Sequence, residues 1–451
     1  MRNETIMQQT DQKLNSYLAS FAAFEKSLNG AAASPLHAIR KAAIAKFAEL
    51  GFPTTKDEEW KYTDVSPIAK TTFQHLNGYN DAGITANDLD RFSFGHPEWN
   101  RVVCVNGHFS KRLSSINGLP AGVLIGSLAE AFVDEPDLVK QHLTKYARYD
   151  ENAFVALSTA FLNDGVFIYI PNRIVVNQPI HLIMISTGPE IASHPRNLVV
   201  VGESSQIAFI ETFGSLGDTT CFTNSVTEVV LAKNAVVEHD RLQIESDLAF
   251  HIGTLHVHQD RDSNFSSNAM TFGGRLVRNN IAVTLDGEGA ETTLNGLYLG
   301  IGNQHIDNHT TIDHAKPHCP SHELYKGILA EKSKGVFNGK IFVRKDAQKT
   351  DAKQTNKNLI LSNEASIDTK PQLEIFANDV KCTHGATIGQ LDDEALFYLR
   401  SRGVSANKAR DILIYAFASD VIDRIKVEPL REEMHRILHK RLEMAHELEP
   451  E

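Results

Sequence analysis

At 451 residues, 42% hydrophobic and 22% charged, the chain is too long for one ordinary core, and two or three domains are expected. Its formal charge of −11 argues against nucleic acid, since a phosphate backbone requires a basic face. No apolar run reaches the roughly 18–20 residues that cross a bilayer, so neither nucleic acid nor membrane is an expected partner.

The chain opens MRNETIMQQTDQKLNSYLAS, with no basic segment leading into an apolar one, so no secretory signal is read and a cytoplasmic protein is expected. Residues 1–90 read as a helical region. Ser34 is placed to cap a helix that starts with Pro35. Leu36, Ile39, Ala43, Phe47 and Leu50 then share one face, and Gly51 ends the run. A polar stretch from Pro53 to Thr63 follows, in which Trp60 and Tyr62 are expected to pin this arm to the next domain.

Residues 91–390 change character. Val, Ile, Thr and Phe alternate with polar residues in short runs such as NLVVV, QIAFIET, TEVVLA, IAVTL and KIFVR. Small polar turns separate them: Gly202–Ser205, Lys233–Asn234, Asp286–Gly289 and Ser362–Glu364. Those after Val201, Leu231, Val257 and Leu285 recur every 26 to 30 residues, the period of a solenoid. No helical periodicity interrupts the repeat, which favours a parallel β-helix; a β-sandwich is the competing architecture.

Residues 391–451 return to helix. Asp392 to Arg402 forms a short one closed by Gly403, and Ser405 caps the next. The middle of that second helix, Ile412 to Ala418, is apolar on all sides and needs cover on more than one face, from a neighbouring helix or from a partner. Pro429 to Glu447 reads as a charged, solvated helix on which His435 and His439 are exposed.

The chain lacks a GxxxxGK[ST] phosphate loop: Gly339-Lys340 has neither the earlier glycine nor the following hydroxyl. Gly287-x-Gly289 lacks the third glycine of a dinucleotide fingerprint, so nucleotide hydrolysis by this chain is not expected. GxSxG and HExxH are absent too. The four cysteines, Cys104, Cys221, Cys319 and Cys382, are far apart, which suits free thiols rather than disulfides or a self-contained cluster. His305, His309, His314, His318 and His322, with Cys319, would suit zinc on a helix, but Pro317 and Pro320 oppose one and ordinary hydrogen bonding is expected. His256 and His258 share one face of a strand and are read the same way. In the motif Lys381-Cys382-Thr383-His384-Gly385-Ala386-Thr387, alternate residues of a strand share a face. Cys382 and His384 would then offer a thiolate and an imidazole side by side, ligands suited to iron or a cluster edge. A buried thiol beside a structural histidine is the plainer reading of the same residues.

Three segments carry a resemblance: EEWKYT (Glu58–Thr63), DAQKTDAKQTNKNLILSNEASIDTKPQLEIFANDV (Asp346–Val380) and KCTHGATIGQLDDEALFYLRSRGVS (Lys381–Ser405). Together they resemble the SufB/SufD family of iron–sulfur cluster assembly proteins. The EEWKYT entry, the KCTHGA motif, the shorter length and the lack of any cysteine before Cys104 favour the SufD branch over the SufB branch. The resemblance implies a right-handed parallel β-helix flanked by helical regions, in a non-catalytic subunit that pairs through its β-helix with SufB or with itself. It implies Cys382 and His384 as interface ligands for iron or a nascent cluster, with no cofactor held stably by this chain alone. It also implies docking of the SufC ATPase on the C-terminal helices, for which Leu396, Leu399, Ile412, Tyr415 and Phe417 are the candidates. Flavin, which such complexes can bind, has no fingerprint here and is assigned to the assembly. Two alternatives stand beside this: a SufB-like primary scaffold, and a β-helix carbohydrate-active enzyme, although no acid–base pair is identifiable.

Overall fold

The computed structural model describes residues 2–28, 35–76, 78, 80–94, 96 and 98–447. Its centre is a parallel β-helix. From Arg196–Val201 onward, successive strands go alternately to two sheets, so each coil adds one strand to each and stacks it in register on the previous coil. Phe222 pairs with Phe250 and Phe250 with Leu276, steps of 28 and 26 residues; Leu276 then pairs with His305, a step of 29. The period read from the sequence is therefore the coil length, and the sandwich is excluded.

The register turns alternation into columns. Val199, Val229, Val257, Val283, Ile312 and Ile341 stack one above another on the inner face of the first sheet. From the second sheet Ile207, Phe209, Val237, Phe265 and Leu294 meet them, and together they form the apolar core of the lumen. One corner of the coil is a column as well. Arg173, Ser204, Asn234, Asp262, Gly289, His318 and Lys349 all take left-handed backbone angles, with φ between 54° and 75°. Each donates its N–H to a carbonyl of the next coil, as Asn234 does to Arg261 at 2.9 Å. Only one of the seven is glycine, so this corner costs strain that the coil-to-coil hydrogen bonds offset.

The two ends differ. At the first, the sheets finish in short antiparallel strands, His108–Phe109 and Leu124–Ser127. At the other they finish in Ser366–Ile375 and Lys381–Gly389, long strands with no described strand paired to their outer edges.

Helices cover both outer faces. Arg2–Ser27 and Pro35–Leu50 bring Tyr17, Phe21, Phe24, Ala43 and Phe47 onto Phe222 and Phe250 of the first sheet. Ser34, the expected cap, lies outside the described residues. Gly51 closes the second helix as expected (φ 64°), its N–H on the Phe47 carbonyl at 2.8 Å, but Leu50 is exposed rather than on the buried face. Three short helices not read from the sequence, Leu128–Asp134, Pro136–His142 and Ala153–Ala160, precede the regular coils. On the second sheet, Ala406–Ile422 lays Ile414, Ala418, Val421 and Ile422 against a surface that includes Leu242, Met270 and Leu297. Its second face is covered by a neighbouring helix, Glu428–Glu447. That helix is not simply solvated: Leu430, Met434, Leu438 and Leu442, one turn apart, are buried beneath its charges.

The arm between the first helices and the coils is pinned as expected at Trp60, which is buried under the Arg278 guanidinium at 3.8 Å. Thr63 adds a pin that the sequence did not reveal. Its hydroxyl donates to Asp307 at 2.6 Å and lies 3.0 Å from His305, while Arg278 donates to Asp307 at 2.9 Å. Tyr62 is only half-buried, and its carbonyl accepts from Lys334. Replacing Thr63 by Val keeps the shape but strips a donor from a buried carboxylate, at a cost of about 1–3 kcal/mol. Faster proteolysis of the arm in Thr63→Val is the expected result, and unchanged cleavage would show that Trp60 alone holds it.

Candidate functional site at the open end of the coil

The last strand places the Cys-x-His pair. Cys382 pairs with Ala352 and His384 with Gln354 of the preceding coil. Ala352 and Gln354 are buried on the inner face, at 0% and 2% exposure, so Cys382 and His384 project from the same face, over the lumen. They are accessible because no described strand stacks on Lys381–Gly389: Cys382 is half-buried and His384 exposed. The spacing argument thus gives the placement found here, a thiol and an imidazole on one face at the rim of a tube. Burial, with Asp351 nearby, pushes the Cys382 thiol up.

Below the rim the lumen turns polar. Gln354 donates from Nε2 to Glu323 Oε2 at 2.7 Å, one coil deeper, while Gln354 Oε1 is buried with no partner. Burial pushes the Glu323 carboxyl up to about 7. Tyr298 donates to Asn358 at 2.5 Å, and Asn358 in turn to Asn356 at 2.6 Å. None of these residues was singled out from the sequence, since their convergence depends on registers a whole coil apart.

The denser histidine cluster is dispersed by the fold. His305 and His309 face the arm, where His309 meets Asp307 at 3.0 Å. His314 turns inward to Ser321 at 3.0 Å, and Cys319 is buried with its thiol on the Gly287 and Pro317 carbonyls. His318 sits at the left-handed corner, and His322 is exposed on the outer face. His256 and His258 share the outer face as expected, and His258 stacks on Tyr146 at 4.9 Å. Among the described residues no group of three or more His, Cys, Asp or Glu side chains is placed to hold a metal.

The candidate docking residues lie on two helices. On Asp393–Ser401, Leu396 and Leu399 are half-buried, while Phe397 and Tyr398 are 74% and 57% exposed. The sequence reading passed over these two, although an LFYL run on so short a helix cannot turn every large side chain inward. On Ala406–Ile422, Ile412 is exposed, Tyr415 shares a hydrogen bond with His435 at 2.9 Å and stacks on His439, and Phe417 lies under the Lys326 ammonium at 4.5 Å. His435 is accordingly not a free surface side chain: its other nitrogen meets Asp423 at 3.1 Å. Lys326, 2.7 Å from Asp420, ties this helix to the coil. Ile375, Phe376 and Ile388 add exposed apolar surface on the final coil.

Two family models match the chain. "SUF system FeS cluster assembly, SufBD core domain" covers residues 184–417, and "SufBD protein N-terminal region" covers residues 11–182. An iron-sulfur cluster assembly SufBD family protein of Synechocystis is 34% identical over 406 residues, 87% of this chain and 88% of that protein. The iron-sulfur cluster assembly protein SufD of Escherichia coli is 31% identical over 411 residues, 88% of this chain and 91% of that one. Protein ABCI7, chloroplastic, of Arabidopsis thaliana is 31% identical over 422 residues, 91% and 87% of the two chains. No described helix is long and apolar enough to cross a membrane.

Proposed function

Because the chain belongs to the SufB/SufD family of iron–sulfur cluster assembly proteins, we propose that it is the SufD-type, non-catalytic subunit of an assembly complex. In this reading it pairs with a SufB-type subunit through the open end of its β-helix. Iron or a nascent cluster is cargo at that seam, met by His384 and Cys382 from this side. The observation that carries the proposal is the bare pair of terminal strands with both ligands on its rim. Long unpaired edges invite strand addition, and a seam formed there supplies the ligands a single chain lacks.

The C-terminal helices are the proposed dock for a SufC-type ATPase, which would carry all nucleotide chemistry. Phe397, Tyr398 and Ile412 are the exposed apolar residues that support this, and Tyr415 and Phe417 hold the helix in place from beneath. ATP-driven closure of the docked subunit would bias the seam between two arrangements. The carbohydrate-enzyme reading loses ground here. An outer groove of 460 Å³ beneath the arm includes Glu59, Arg278 and His309, all three engaged in the pin.

Affinity purification of the tagged chain from its native extract tests the reading. Co-purifying SufB-type and SufC-type subunits are expected. His384→Ala is expected to retain both but to lower iron and cluster content, and Ile412→Asp to lose the ATPase selectively. A chain recovered alone, or a His384→Ala complex with wild-type iron content, would end the proposal for the corresponding residue or partner.

A further inference from the structure

The orphaned oxygen beneath the rim has a physical use. A histidine that binds a metal through one ring nitrogen is normally fixed by a hydrogen bond from the other, to a carbonyl or carboxylate. His384 stands directly over Gln354 in the stack, and Gln354 presents a buried, unpartnered Oε1. Its Nε2 donates to Glu323 Oε2 at 2.7 Å, the orientation required while that carboxyl is ionised, since only the NH2 end of the amide can donate. It also fills a slot across the lumen that exists because residue 339 is glycine: a Cβ there would collide with Gln354 Nε2 and the Phe337 ring. A buried acceptor without a donor is costly to maintain.

We infer that Gln354 is the positioning residue for His384: its Oε1 accepts the imidazole N–H, and Glu323 holds the amide from behind. This rests on the reading of His384 as a cargo ligand. The arrangement fixes one tautomer, aims the other ring nitrogen out of the mouth and spares the metal from ordering a loose side chain. It also satisfies the orphaned oxygen once the seam closes.

The test uses the full chain labelled with ¹⁵N at histidine in its complex with the SufB-type subunit, His384→Ala identifying the signal. Wild type is expected to show His384 as a single neutral tautomer. Gln354→Leu, and Gly339→Ala, which displaces the amide without removing it, are expected to show both tautomers. With the SufB-type subunit present, anaerobic titration with ferrous iron is expected to give a 10–100-fold weaker affinity for Gln354→Leu. Glu323→Gln, which still accepts from the amide, is expected to stay near wild type. A single tautomer and unchanged affinity in a folded Gln354→Leu or Gly339→Ala would overturn the inference and leave the role of His384 intact. Wild-type iron binding by His384→Ala would instead remove the ligand reading and this inference with it.

Discussion

Lowering the pH from 6.5 towards 5 is expected to destabilise this protein steeply, before its surface carboxylates begin to titrate. Burial holds His181 at about 3, His75, His256 and His314 at about 4, and His194 well below its ordinary 6.5. Each therefore stays neutral in the fold. For such a group the stabilisation is complete above the unfolded value of 6.5 and is withdrawn as pH falls towards the folded one. Two buried carboxyls oppose them. Asp240 and Glu323, both pushed up to about 7, stay protonated in the fold and favour it as pH falls through the same window. Near pH 5.5 these five imidazoles and two carboxyls alone leave between two and three more protons on the unfolded chain, a contribution of about 3–4 kcal/mol per pH unit; His108, His142, His251, His258 and His305, also lowered by burial, act in the same direction. Glu211, lowered to about 2 chiefly by its bond to His239 against the opposing cost of burial, adds a further loss only below its unfolded value near 4.5. Denaturant midpoints measured across pH 5–7.5 check this; a flat profile between 6.5 and 5.5 would show that these histidines are solvated.

Glu228→Ala is expected to be among the most damaging single substitutions. Glu228 and Arg196 form an ion pair at 2.6 Å with neither side chain exposed. The same carboxylate accepts the backbone N–H groups of Thr144, Tyr146 and Ala147 at 2.9–3.0 Å, clipping that loop to the coil. Truncation leaves a buried guanidinium whose remaining side-chain hydrogen bond goes to Thr159, and strands three backbone donors, that of Ala147 buried and those of Thr144 and Tyr146 half-buried. Breaking such a pair costs about 3–5 kcal/mol. Replacing both partners with apolar residues is expected to recover part of the loss, because the isolated charge is what hurts most. Chemical denaturation of the single and double variants decides it. A Glu228→Ala variant within about 1 kcal/mol of wild type would mean that water reaches Arg196.

How far the fold can be read from the chain depends on where each signal lies. The coil period was visible because Asn234 and Gly289 mark a corner that needs left-handed angles, yet Arg173, His318 and Lys349 serve the same corner without advertising it. Alternation was blurred where the outer face is also covered: in Phe222–Leu231 every residue is buried. Leu128–Asp134 and Ala153–Ala160 are too short for periodicity, and only their Ser127 and Asn152 caps could have signalled them. In the C-terminal helix, charges hid the Leu430–Met434–Leu438 stripe. At the candidate site, the two-residue spacing placed Cys382 beside His384, a local matter. Gln354 and Glu323 enter only through the stacking of coils, which no short motif encodes.

The contrast between the two ends of the coil limits what the molecule can build. Growth by edge pairing needs two sticky ends, and one of these is blunted by strands of two and four residues running the opposite way. On the proposed pairing, a rod with one open end would close with its first partner, whether another copy or a sister subunit, and would offer no further strand edge to a third. The stacked-strand architecture, which fibrils share, would then terminate at a pair.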